Sequence, residues 1–245
     1  MMTKQFSRLP TSVVPSHYVI RLKPDLAKHT FQGEVTITAK VAEAVTEVMC
    51  NAANLEIQKC TVSCGDRGSS DQEAGVSLDA EQEILTMKLP AALAPGSATL
   101  RLQFTGVLND KMRGFYRTKY AVAGEERWAA VTQFQPTDAR QAFPCWDEPA
   151  VKATFDIVIV APKDRVVLSN MPEIGRVEDA EDGSCDVVRF GTSPVMSTYL
   201  VAIVVGEFDY IEDKSEEGIT CRVYSPLGKK EQGRSESQSL DIALN

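Results

Sequence analysis

Thr132-Gln133-Phe134-Gln135-Pro136-Thr137-Asp138-Ala139-Arg140-Gln141-Ala142-Phe143-Pro144-Cys145-Trp146-Asp147-Glu148-Pro149-Ala150-Val151-Lys152-Ala153-Thr154-Phe155 is the stretch on which the rest of the chain turns. The segments on both sides alternate apolar and polar residues, as half-buried strands do. This stretch alternates with nothing. Phe134, Phe143 and Trp146 favour burial. Asp138, Arg140, Asp147, Glu148 and Lys152 need partners wherever they leave water. Together they predict an ordered loop, held by internal ion pairs and hydrogen bonds on a β scaffold, which is where sites tend to sit.

Working outward, the alternation is clearest upstream. Val35, Ile37, Ala39 and Val41 face one way, and Glu34, Thr36, Thr38 and Lys40 the other, which predicts a strand with one wet face. Tyr18, Ile20 and Leu22 read as a strand ended by Pro24-Asp25. Leu85, Met87 and Leu89 read as another, broken by Pro90. Ala98, Leu100, Leu102 and Phe104 give a further half-exposed strand. Asn51 and Asn54 mark a turn, and the polar run from Gly65 to Gly75 a mobile connection. Trp128 to Phe134 leads into the loop as a strand.

Downstream, Phe155, Ile157 and Ile159 begin a strand that Pro162-Lys163-Asp164 turns. Val166 to Leu168 and Val187 to Phe190 are shorter ones. Tyr199 to Val205 is continuously apolar, which predicts a strand buried on both faces, with Gly206-Glu207-Phe208 ending it. Ile219 to Tyr224 is the last strand. The acidic clusters in Glu173–Asp186 and Asp209–Glu217 read as solvated loops or edges. No helix of normal length is readable before residue 226. Leu240, Ile242, Ala243 and Leu244 read as the first turns of an amphipathic helix.

Composition narrows the function classes. Apolar residues make up 43% and charged residues 24%, which fits a globular chain rather than a disordered one. A net charge of -8 argues against partners such as nucleic acid or an anionic membrane. No apolar run reaches the ~20 residues of a membrane span. Met1 to Phe6 has no signal-peptide core, so a cytoplasmic chain with six reduced cysteines is the expectation. Cys60 and Cys64 lack the second pair a zinc site needs.

Catalytic sets are incomplete. There is no H-E-x-x-H, G-x-S-x-G or P-loop. His17 and His29 are the only histidines, and neither lies near Cys145 in the pattern. Adjacent Asp147 and Glu148 point to opposite faces in extended chain, so ion pairing with Arg140 or Lys152, or helix capping, is expected of them rather than a shared proton.

The stretch resembles the signature of the gluzincin-type zinc aminopeptidases, nearest their puromycin-sensitive branch: TQFE-x-TDAR-x-AFPC-[FW]-DEP-x-x-KATF. Arg8-Leu9-Pro10, Gly114-Phe115-Tyr116-Arg117 and Val223-Tyr224-Ser225-Pro226-Leu227-Gly228-Lys229 are similar to further family elements in the same order. The resemblance implies an all-β N-terminal domain over 1–225, saddle-like or sandwich, built of twisted antiparallel sheets. Residues 226–245 would be a linker and the truncated first helix of a catalytic domain.

In that family the zinc is held by H-E-x-x-H and a later Glu, and G-x-M-E-N binds the substrate amine, all in the catalytic domain. This chain would then supply no catalytic residue and no metal ligand, and be inactive alone. It would wall the cleft, contact the N-terminus of a peptide substrate through Gln133 and Gln135, and partner its own catalytic domain. Gln135 departs from the family's usual Glu, although the leukotriene-hydrolase branch also has a glutamine there. The competing class is a stand-alone β-sandwich module that binds a protein partner without catalysis.

Overall fold

The computed structural model describes residues 8–65, 71–215 and 218–230. Its first strands are β1 Val13–Asp25, β2 Thr30–Val41, β3 Val45–Asn51, β4 Leu55–Cys64, β5 Gln72–Glu73, β6 Gly75–Asp79 and β7 Ile84–Leu93. Next come β8 Gly96–Val107, β9 Gly114–Val122, β10 Glu125–Gln133, β11 Lys152–Pro162 and β12 Val166–Ser169. The last are β13 Glu173–Glu178, β14 Cys185–Phe190, β15 Met196–Ser197, β16 Ile203–Gly206, β17 Phe208–Lys214 and β18 Thr220–Pro226. Helix appears among the described residues only as two 3₁₀ turns, Ala139–Gln141 and Thr198–Leu200. The chain is all-β.

The largest sheet has the order β13-β14-β11-β1-β2-β8-β4-β5, with β15 added beside β11. A four-stranded sheet runs β12-β16-β10-β9, a three-stranded one β3-β7-β6, and β17 and β18 make a ribbon. The ladders among the described strands are antiparallel except one: β1 and β11 run parallel, with His17 opposite Thr154 and Leu22 opposite Ile159. A parallel pair needs a long crossover, and here everything from β2 to β10 supplies it.

Alternation sets the core. Val35, Ile37, Ala39 and Val41 of β2 and Ala98, Leu100, Leu102 and Phe104 of β8 are all buried, with Val35 opposite Leu102, Ile37 opposite Leu100 and Ala39 opposite Ala98. They join inward residues of the two smaller sheets, such as Leu85, Met87, Phe115 and Ile203, in one cluster. Full burial of one such aliphatic side chain stabilises by about 1.5–3 kcal/mol. Gly33 lies opposite Phe104, and a Cβ there would sit 2.2 Å from the ring; the aromatic fills the space a side chain would need. On the other face of β11 and β14, Val158, Val160, Cys185 and Val187 form a second small cluster.

Several expectations need correction. Tyr199 to Val205 is not one strand buried on both faces. Its first residues belong to a 3₁₀ turn, β16 begins only at Ile203, and Leu200 and Ala202 are exposed. The reason is competition from side chains distant in the sequence. Thr198 Oγ1 donates to Asp147 Oδ1 at 2.7 Å, and the Asn170 side chain bonds both Leu200 O and Ala202 N at 2.8 Å, in place of a neighbouring strand.

Pro90 does not break its strand either. β7 runs on to Leu93, and the register against β3 shifts between Val45 and Glu47, an irregularity of the kind that accommodates proline. The strand end and the acidic edges fall where the sequence puts them: β16 stops at Gly206, and β17 then carries the acidic residues after Phe208 in a two-stranded ribbon, paired with β18 from Phe208–Pro226 to Lys214–Thr220. Glu173–Glu178 is likewise an edge strand. Of the polar connection at Gly65–Gly75, residues 66–70 lie outside the described residues, and Gln72–Glu73 pairs with β4. The helix read at Leu240–Leu244 also lies outside them.

Candidate functional site

Between the end of β10 at Gln133 and the start of β11 at Lys152, the quoted stretch is the ordered loop that its composition predicts; its two ends lie in those strands. It hangs from the core by aromatic rings. Phe134 packs edge-on against Phe143 at 6.0 Å, Phe143 edge-on against Tyr18 at 6.2 Å, and Tyr18 stacks on Phe155 at 5.0 Å. The Tyr18 hydroxyl accepts the Trp146 backbone N–H at 3.2 Å, and burial pushes its own ionisation well above the usual tyrosine range.

A buried charge network fixes the second half of the loop. Arg140 Nε donates to Asp147 Oδ2 and Arg140 Nη1 to Glu83 Oε2, each at 3.0 Å. Asp147 also accepts from Thr198, and its own N–H donates to Asn51 Oδ1 at 3.1 Å. Cys145 and Asn51 exchange backbone bonds of 2.8 and 3.0 Å. Of the partners expected for the Asp147-Glu148 pair, Arg140 is the one used. Glu148 instead accepts the Leu9 backbone N–H at 2.8 Å, and Lys152 donates to Ser197 Oγ at 3.2 Å.

The first half presents the glutamines. β10 ends at Gln133, which lies opposite Gly114 of β9. Phe134 turns inward and is buried, while Gln133 and Gln135 on either side of it are exposed. The Asp138 N–H donates back to Phe134 O at 2.8 Å and closes the turn. Asp138 itself is 4% exposed, and its carboxylate accepts from Arg113 Nε at 3.0 Å and Gln141 Nε2 at 2.6 Å. Gly114 has φ +69°, and a Cβ there would stand 2.7 Å from Gln141 Cβ, so the close approach and the left-handed backbone both require glycine.

Two exposed amides, each with a carbonyl acceptor and two N–H donors, can hold a polar group such as an ammonium or a peptide terminus. They carry no charge of their own.

The remaining candidates have structural surroundings. Cys145 is fully buried, and burial first, then nearby Asp147, raises its thiol well above the ordinary range, so it is no thiolate nucleophile. All six cysteines are free. Cys60 is pushed up to about 12 by burial. His17 Nδ1 meets Thr154 Oγ1 at 2.7 Å, and His29 packs edge-on against Trp128. Among the described residues no group of three or more His, Cys, Asp or Glu is placed to hold a metal ion. The described residues therefore offer no donor set for the zinc that the resemblance implies.

Sequence reading singled out Asp138 as a charge in need of a partner but missed Arg113, which pairs with it, and Asn170, which shapes the chain before β16. Only glycine before an aromatic, at Gly114-Phe115, hinted at the special backbone.

Comparison with known proteins places these features in a family context. Residues 14–200 match the family model for the peptidase M1 N-terminal domain. Aminopeptidase M1 of Arabidopsis thaliana is 48% identical over 229 residues, covering 93% of this chain and 26% of the relative. The puromycin-sensitive aminopeptidase of Caenorhabditis elegans is 43% identical over 241 residues, covering 98% and 25%. The mitochondrial aminopeptidase 2 of Saccharomyces cerevisiae is 40% identical over 232 residues. The chain spans about a quarter of the length of these curated relatives.

Proposed function

The chain belongs to the peptidase M1 N-terminal domain family, and from that premise we propose that it is the N-terminal β domain of a zinc-dependent aminopeptidase. Residues 1–225 form the domain, and 226–245 lead into a catalytic domain that holds the zinc with its own residues. The domain walls the cleft, and Gln133 and Gln135 take hold of the substrate's N-terminus. One observation carries this reading: the two glutamines stand exposed on either side of buried Phe134, on a turn clamped to the core. Rigid positioning of neutral acceptors lowers the entropy lost when a peptide terminus binds. A cytoplasmic setting fits the six free thiols, and no helix among the described residues is long and apolar enough to cross a membrane.

The test is production of the longer protein that contains this chain. Stoichiometric zinc and release of N-terminal residues from peptides, both absent from the 245-residue chain alone, support the reading. A longer protein with neither zinc nor turnover, or a 245-residue chain that has both, overturns it.

A second reading, a free-standing module that binds a protein, is favoured by Ile174 and Val177, which are 70% and 58% exposed on the edge strand β13. A natural protein without H-E-x-x-H would select it.

A further inference from the structure

We propose that Arg113 is a pre-set anchor for a carboxylate from outside this chain, placed beside the glutamine pair. The inference rests on the reading of Gln133 and Gln135 as the cleft-facing edge, and it adds a charge preference to that edge.

Among the described residues the side chain is tied at one atom only. Arg113 Nε donates to Asp138 Oδ2 at 3.0 Å, and the arginine side chain remains 61% exposed while that of the aspartate is 5% exposed. Asp138 does not need the rest of the guanidinium, because Gln141 occupies its other oxygen at 2.6 Å. Neither terminal nitrogen of Arg113 bonds a described residue.

The backbone beneath it is fixed as well. Asn109 Nδ2 donates to Arg113 O at 2.8 Å, and Asn109 Oδ1 accepts the Lys111 N–H at 2.8 Å. Gly114, the next residue, is the one paired with Gln133. Neighbouring charges do not compete for the fork: Asp110 pairs with Arg117. An arginine held by Nε offers its outer edge as a planar two-donor fork, the geometry that matches a carboxylate. Because its rotamer is already set, it loses little freedom on binding.

The carboxylate can come from two sources. One is the peptide substrate, through an acidic side chain near its N-terminus. The other is an acidic side chain of the polypeptide beyond this chain. In the longer protein, Arg113→Gln and Arg113→Lys are compared with the parent on two tripeptides that differ only by Glu or Gln at the second position. Melting temperatures are recorded for the same variants in the longer protein and in the 245-residue chain.

For a substrate carboxylate, Arg113→Gln lowers kcat/KM for the Glu peptide by about tenfold, the worth of a charge-assisted bond, and leaves the Gln peptide unchanged. Arg113→Lys restores only part of the loss, since a point charge lacks the fork. For a carboxylate of the same polypeptide, both peptides respond alike, and Arg113→Gln lowers the melting temperature of the longer protein more than that of the 245-residue chain. Equal peptide activities together with equal melting shifts in the two proteins overturn the proposal. If the longer protein shows no turnover at all, the aminopeptidase reading fails by itself, and the difference in melting shifts still decides whether Arg113 anchors a carboxylate.

Discussion

Arg140 and Asp147 form a buried ion pair, Nε to Oδ2 at 3.0 Å, with the aspartate side chain only 1% exposed. Seven positions apart, with Arg140 in the 3₁₀ turn Ala139–Gln141 and Asp147 in the irregular chain after it, they close the segment on which Cys145 and Trp146 enter the core. Asp147→Ala leaves the guanidinium buried with Glu83 as its remaining carboxylate. Breaking such a pair from one side costs about 3–5 kcal/mol. The expected loss of unfolding free energy, by urea titration of the 245-residue chain, is about 3 kcal/mol. A loss under about 1 kcal/mol, the range of an exposed pair, would show that Asp147 does not hold the loop.

Gly114→Ala tests the other end of the loop. The new methyl must adopt φ near +69° and meets Gln141 Cβ at 2.7 Å. Strain of this kind costs about 1–3 kcal/mol, and it displaces Gln141 from Asp138. A reduced urea midpoint, together with a shifted Gln141 side-chain amide resonance, is the outcome expected. An unchanged midpoint would mean that the turn relaxes without strain.

Alkaline pH should destabilise the chain. Burial raises the thiols of Cys60 (to about 12), Cys50 and Cys145 above their ordinary values. A group whose folded pKa is raised stabilises the fold below its unfolded value, and that stability is lost as pH rises towards the folded value. Stability should therefore hold up to the unfolded thiol pKa of about 8.5 and fall above it, by about 1.4 kcal/mol per pH unit for each thiol. Urea midpoints between pH 7 and 11 measure this. A midpoint unchanged through pH 11 contradicts burial of these thiols.

Gln135→Glu addresses the proposed amine anchor in the longer protein. A peptide α-amine with a pKa of about 8 is mostly protonated near neutral pH. A carboxylate offers it a charge-assisted bond, stronger than the bond a neutral amide offers. Substrate binding should tighten by on the order of 1 kcal/mol once desolvation of the carboxylate is subtracted, and Gln133→Ala should weaken it. Both side chains are exposed, so melting temperatures should stay nearly constant. KM and kcat on an alanyl substrate decide. If Gln135→Glu leaves both unchanged and Gln133→Ala lowers only the melting temperature, the stretch is a structural loop.

The strands were legible because alternation is local. Val35 to Val41 and Ala98 to Phe104 each declare a buried and a wet face within a few residues, and the register of β2 against β8 follows from matching those faces. The same rule misled at Tyr199 to Val205, where an apolar run implied burial on both faces. There the decision lay with Thr198 bonding Asp147 and with Asn170 bonding Leu200 and Ala202, contacts between residues far apart in the chain.

By itself, the sequence determined that the described domain is all-β, that the stretch between β10 and β11 is an ordered loop, and which family it belongs to. Each rests on short-range pattern. The tertiary structure decided which charges meet: Asp138 takes Arg113 and Gln141, Asp147 takes Arg140, and Glu148 takes the Leu9 backbone across 139 positions. It also set β1 parallel to β11. Partner choice for a charge depends on desolvation and distance, and both exist only once the aromatic core has drawn the loop against the sheets.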